Sequence, residues 1–157
     1  MLSGHDLIAL AKTGSGKTYT FVWPMLVHIL AQPNMQLGEG PIGLILAPTR
    51  ELVSQIYLET KKYAKVFNIR VCKVYGGEGK YEMQKGLLEA PEIVVATPGR
   101  LIDFLSVGDK ITNLRRCTMV VLDEADKMYV VQYVFLCLFQ NNYYPWPYYN
   151  NCAVNLI

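Results

Sequence analysis

Apolar and polar positions alternate along this chain in two distinct rhythms. Short, nearly continuous apolar runs, the mark of strands buried on both faces, fall at residues 6–10, 42–47, 70–75, 92–96 and 118–122. Between them lie longer stretches with helical spacing. The first runs from Gly16 towards Ala31, with Phe21, Met25 and Ile29 on the core side and Pro24 positioned to kink it. The second is capped by Thr49 and continues to about Phe67. A polar helix spans 78–89, and another starts at Pro98 and ends at Leu105. Residues 32–41, with two prolines and two glycines, read as a surface loop.

Strand and helix alternating in this way predict an α/β fold, a parallel sheet of about five strands with helices on both faces and right-handed crossovers. In such sheets ligands bind outside the carboxyl ends of the strands. The rhythm stops after Lys127. Residues 129–157 hold no charged side chain, six of the eleven tyrosines, five asparagines and Trp146, and neither period persists through them. We therefore expect an ordered unit over 1–128 and a divergent tail over 129–157. Read-through of a non-coding segment or an alternative splice end would explain the tail's composition. Residues 130–139 combine high β-propensity with no charge or proline, an aggregation hazard where exposed; a native tail could instead dock on an open sheet edge.

Composition narrows the reading further. The 157 residues suit one domain, 52% of them are apolar, and the net charge of +2 gives no global electrostatic case for nucleic acid, so any such case rests on local residues. Cys72, Cys117, Cys137 and Cys152 form no CxxC pair, which disfavours a zinc site and predicts buried free thiols. No signal peptide is apparent. The longest charge-free apolar run, 128–139 with Gln132 inside it, is shorter than the roughly 18 residues a membrane helix needs. A soluble intracellular protein is expected, nucleus ahead of cytoplasm.

Two segments carry the chemistry. Ala11-Lys12-Thr13-Gly14-Ser15-Gly16-Lys17-Thr18 follows the first strand and opens a helix. Backbone N–H groups of such a loop cradle phosphates, and the helix N-terminus adds positive partial charge. Lys17 would reach the β/γ-phosphates of a nucleotide and Thr18 would place its hydroxyl on Mg²⁺. A Gly-rich turn with a chance Gly-Lys-Thr is the bland alternative. Far downstream, Asp123-Glu124-Ala125-Asp126 ends a buried strand. Asp123 is placed to hold the metal, Glu124 to polarise an attacking water, and Ala125 and Asp126 to orient or couple. Alone, the same four residues could be a solvated acidic turn.

The chain resembles the DEAD-box RNA helicases. Ala at the first position of the phosphate loop is normal there, and Pro48-Thr49-Arg50-Glu51-Leu52, Gly76-Gly77, Thr97-Pro98-Gly99-Arg100 and Asp123-Glu124-Ala125-Asp126 match further family motifs in order, over roughly residues 3–128. The resemblance implies a RecA-like P-loop domain that binds ATP and Mg²⁺. It implies RNA contact through Pro48, Thr49, Arg50, Glu51, Gly76, Gly77, Thr97, Pro98, Gly99 and Arg100. Thr49 and Thr97 beside helix N-termini suit phosphate oxygens, and such contacts read no sequence. The Gly76-Gly77 doublet alone reads equally well as a tight turn. Residues 23–29 are similar to a splicing-linked subgroup but read as a core-facing helix, and neither Trp23 nor His28 is given a catalytic role.

The family's adenine-reading segment, its Ser-Ala-Thr motif, the domain's last strand and a second RecA-like domain carrying an arginine finger are expected to lie outside these residues. Activity in the family needs that second domain, so the chain alone is expected to turn over ATP at background rate. Two other functions stay open: a non-catalytic RNA- or partner-binding fragment, and a P-loop ATPase acting on DNA.

Overall fold

The computed structural model describes residues 5–10, 12, 16–77, 79–108 and 110–128, together with the backbone of 152–156. Five strands form where the apolar runs fall: β1 (Leu7–Ala9), β2 (Gly43–Leu46), β3 (Val71–Val74), β4 (Ile93–Ala96) and β5 (Met119–Asp123). Four helices connect them: α1 (Lys17–Leu30), α2 (Arg50–Ala64), α3 (Lys80–Leu88) and α4 (Pro98–Leu105). A sixth strand, β6 (Cys152–Leu156), was not assigned by the sequence pattern.

All strand pairs are parallel, and the order across the sheet is β1-β6-β5-β2-β4-β3. β6 lies inside the sheet, with Leu7 opposite Val154 on one side and Met119 opposite Cys152 on the other. The tail therefore contributes an interior strand, where the sequence suggested at most an edge. β1 pairs with β6 and with no other strand among the described residues.

β2, β4 and β5 are buried at every position, as strands covered on both faces must be. Side chains from both sides of the sheet, among them Phe21, Met25, Val53, Ile56, Leu101 and Phe104, close over them in one apolar cluster. Thr49 caps α2, its Oγ1 accepting from the backbone N–H of Leu52 at 3.3 Å. Pro98 opens α4, where a missing N–H costs nothing. α1 runs unbroken through Pro24 rather than stopping there. α2 ends in a short 3-10 turn that closes on Asn68 in the left-handed conformation.

One expectation needs correction. α1 buries Phe21, Val22, Met25, Leu26 and Ile29, yet Trp23 is 57% exposed, and Val27 and Leu30 are exposed with it. The helix is apolar nearly all round, so its core face could not be read from hydrophobicity alone. His28, half-buried on α1, pairs its Nε2 with Thr118 Oγ1 at 2.7 Å, and burial lowers its pKa. That is a packing role. Cys72 and Cys117 are buried free thiols, as expected; Cys137 and the Cys152 side chain lie outside the described residues.

Candidate functional site

The parallel sheet brings the described residues of every motif to one edge, the carboxyl ends of its strands. β1 leads to the glycine-rich segment 11–18, of which Ala11, Thr13, Gly14 and Ser15 lie outside the described residues. Lys12 is exposed. Gly16 takes the left-handed conformation (φ 84°) that lets the chain turn into α1, and Tyr19 N–H donates back to its carbonyl at 3.0 Å. No side chain caps α1 and no acidic residue sits in its first turn. Among the described residues its N-terminal N–H groups and positive dipole end have no side-chain partner. Lys17 and Thr18 occupy the first two helical positions and are half-buried.

Asp123 closes β5 and is only 5% exposed. Burial raises its pKa, and the positive charge of Lys17 acts in the opposite direction. The two residues that the sequence assigned to phosphate and metal are thus electrostatic neighbours across the gap between α1 and β5. The chain then reverses sharply. Glu124 adopts φ 52°, strained for a side chain with a Cβ, and donates its N–H to Asp123 Oδ1 at 3.1 Å. Lys127 Nζ meets the Glu124 carboxylate at 3.0 Å, one turn on. Asp126 is exposed and Ala125 half-buried.

These residues fit a Mg²⁺–nucleotide. Among the described residues no cluster of three or more His, Cys, Asp or Glu side chains could cage a metal. Mg²⁺ does not require a cage, since it binds through one or two carboxylates or hydroxyls and shares the remainder with phosphates and water. Thr18 and Asp123 supply hard oxygen donors of that kind.

The second group of motif residues converges at the ends of β2, β4 and β3, on the far side of β5 from β6. β3 ends at Val74, and Tyr75-Gly76-Gly77 makes the turn, with Gly77 at φ 90°. A Cβ at Gly77 would stand 3.2 Å from Arg50 Nη1, so the absence of a side chain there lets Arg50 come close. Arg50 also pairs with Glu51 at 2.6 Å on the exposed first turn of α2. Arg100 Nε donates to the Tyr75 carbonyl at 3.3 Å and Nη1 reaches Asp103 at 3.4 Å. Thr97 N–H donates to the Val74 carbonyl at 2.8 Å, tying the start of α4 to the end of β3. The Thr97 hydroxyl makes no capping bond, and Pro48, Pro98 and Gly99 sit at the rim.

Thr49, Arg50, Gly76, Gly77, Thr97 and Arg100 thus line one rim of hydroxyls, glycines and guanidinium groups. Tyr75, Asp103 and Lys127 brace this machinery and were not singled out from sequence. Only the i,i+3 spacing of Asp103 and Lys127 to their partners could have suggested two of them.

The comparisons agree with this geometry. Residues 1–135 match the family model described as DEAD/DEAH box helicase. The chain is 57% identical over 129 residues to a protein named DEAD-box ATP-dependent RNA helicase 24 from Oryza sativa subsp. japonica, covering 82% of this chain and 16% of that protein. It is 54% identical over 128 residues to the Homo sapiens protein named ATP-dependent RNA helicase DDX42, covering 82% of this chain and 13% of that one. The chain therefore spans well under a fifth of the length of these relatives. The crystal structure of the yeast DEAD-box splicing factor Prp28 superposes with a TM-score of 0.84 at 35% identity, over 97% of this chain and 36% of that one. Gly16 to Thr18, the acidic strand end and the arginine-lined rim occupy one edge of one parallel sheet, and the chain belongs to the DEAD/DEAH box helicase family.

Proposed function

We propose that this chain is the ATP- and RNA-binding module of an RNA helicase, in which ATP hydrolysis drives RNA unwinding or remodelling once a second RecA-like domain is present. The observation that carries the reading is the buried Asp123 carboxyl at the end of β5, its charged form favoured by the positive charge of Lys17 at the start of α1, with the Arg50–Gly77 and Arg100–Tyr75 contacts on the same sheet edge.

In this reading Ala11, Lys12, Thr13, Gly14, Ser15 and Gly16 wrap the phosphates, and Lys17 neutralises the β/γ pair. Thr18 and Asp123 hold Mg²⁺, which offsets the charge of the phosphates when bound. Glu124 orients the attacking water and accepts its proton, while Ala125 and Asp126 couple that turn to the RNA side. Strain at Glu124 and its ion pair with Lys127 fix where the carboxylate points. Pro48, Thr49, Arg50, Glu51, Gly76, Gly77, Thr97, Pro98, Gly99 and Arg100 grip the RNA sugar–phosphate backbone, without sequence preference.

Residues 1–128 form the binding unit in this proposal, and residues 129–157 are a divergent segment that lends one strand. Residues 1–157 alone hydrolyse ATP at background rate, because an arginine finger from a second domain is worth roughly 10³–10⁵ in rate. The likeness to a yeast splicing factor supports a nuclear setting, which localisation of the tagged chain would check.

Titration of the purified chain with a fluorescent ATP analogue, with and without oligouridine, tests the reading. Binding should require Mg²⁺ and collapse in Lys17→Ala. Analogue binding unaffected by Lys17→Ala refutes the nucleotide site. RNA binding that survives without any nucleotide affinity favours a non-catalytic binding fragment, and equal preference for single-stranded DNA favours a DNA-directed ATPase.

A further inference from the structure

β3 is the outer strand of the sheet, and a cleft of about 370 Å³ opens along it between α2 and α3. Its α2 wall carries Tyr57 and Lys61, and β3 contributes Lys73. Lys73 Nζ lies 5.6 Å from the Tyr57 ring centre and 5.1 Å from that of Tyr75, and donates to Tyr75 Oη at 2.9 Å. Lys61 Nζ lies 5.2 Å from the Tyr57 ring centre and donates to Tyr57 Oη at 2.9 Å. Tyr75 belongs to the rim already described, since its carbonyl receives Arg100 Nε. Cations and aromatic rings thus alternate from Arg100 through Tyr75, Lys73 and Tyr57 to Lys61, beginning at the RNA motifs and ending on the flank of the sheet.

We propose that this flank extends the RNA path: single-stranded RNA leaving the motif rim crosses the α2 side of the cleft, with phosphates against Lys73 and Lys61 and a base against Tyr57. This inference rests on the reading of the rim as an RNA site. Alternating amines and aromatic faces bind single strands without reading sequence, because every base has a π-face and every linkage a charge. Two tyrosine rings already hold Lys73 in place, so little side-chain freedom remains to be lost on binding. The opposite wall carries Glu82 on α3 and Glu89 just past its end, which repel phosphate and confine the strand to the α2 side.

Polarisation titrations of the chain with Mg²⁺ and an ATP analogue would compare a short labelled oligouridine, covering the rim alone, with a longer one. Lys61→Gln should leave the short oligomer unaffected. On the long one it should weaken binding roughly fivefold near 0.1 M salt, and flatten the log–log salt dependence by about 0.7, the worth of one single-strand phosphate contact. Glu82→Gln should tighten binding of the long oligomer only. These opposite signs would not arise if the two residues were merely structural.

Equal affinity and slope for Lys61→Gln and wild type on the long oligomer overturns the proposal, as does an equal loss on both lengths. Competition at Lys61 by oligoglutamate, without any by the long oligouridine, would make the cleft a site for acidic peptide and overturns it too. The underlying reading fails separately: Arg50→Gln and Arg100→Gln would then leave short-oligomer binding intact.

Discussion

Replacing Thr60 by valine should make this protein more stable. Thr60 sits on α2 with 0% exposure, and its Oγ1 has no hydrogen-bond partner among the described residues. A buried hydroxyl left unsatisfied costs about 1–3 kcal/mol. Valine has nearly the same shape, the same branching at Cβ and a similar helix propensity, so the helix itself is indifferent to the exchange. The added methyl group contributes roughly 0.8 kcal/mol on burial, reduced by whatever crowding it causes.

A net gain of about 1–2 kcal/mol follows. At about 2–4 °C per kcal/mol for a domain of this size, Tm should rise by roughly 2–8 °C. Thermal melts followed by circular dichroism, with urea titration as an independent measure, would read it. Thr60→Ser provides the opposite sign, keeping the hydroxyl and deleting the methyl, and should cost about 1 kcal/mol. A valine variant no more stable than wild type would show that the hydroxyl has a partner in solution, and the reasoning would fail.

Other outcomes follow from the site and its supports. Burial holds the Asp123 carboxyl above its ordinary range, so the folded state binds that proton more tightly than the unfolded state. Ionising it therefore costs stability as pH rises through the carboxylate range. Nucleotide-free Asp123→Asn should melt higher than wild type at neutral pH, the difference shrinking on acidification, while Mg²⁺-dependent analogue binding is lost. Gly40→Ala should cost more than about 3 kcal/mol, because its Cβ would lie 1.7 Å from the Asn113 carbonyl oxygen, which is backbone and cannot yield. Gly43→Ala meets only the movable Met25 side chain, at 2.6 Å from Sδ, and should cost about 1–2 kcal/mol; urea titrations of both variants would rank them. The Cys72 and Cys117 thiols, pushed up to about 12 by burial, should resist a thiol reagent at neutral pH until urea unfolds the chain, as peptide mapping of the labelled sites would show.

Much of this architecture is written locally. The strand formed at Gly43–Leu46 lies within the apolar run at 42–47, and that at Ile93–Ala96 within 92–96, since a run buried on both faces carries its own boundaries. Thr49 and Pro98 announce their helices for equally local reasons. What could not be read from sequence depends on partners far along the chain. Arg50 reaches Gly77 only because β3 lies beyond β4 from β2. Trp23 ends up exposed because α1 offers apolar residues in every direction and the sheet covers only some of them. The placement of Cys152–Leu156 has the same character, since a five-residue segment without charge or strict alternation does not reveal which strands will flank it.

That placement sets an order of events. Among the described residues β1 has one neighbour in the sheet, β6, which lies far downstream in sequence. Residues 7–9 are synthesised before residues 152–156, so their ladder cannot close until residue 156 is available, across a long loop. β2, β3, β4 and β5 can pair well before then. The strand made before β2, β3, β4 and β5 is thus the one paired after them.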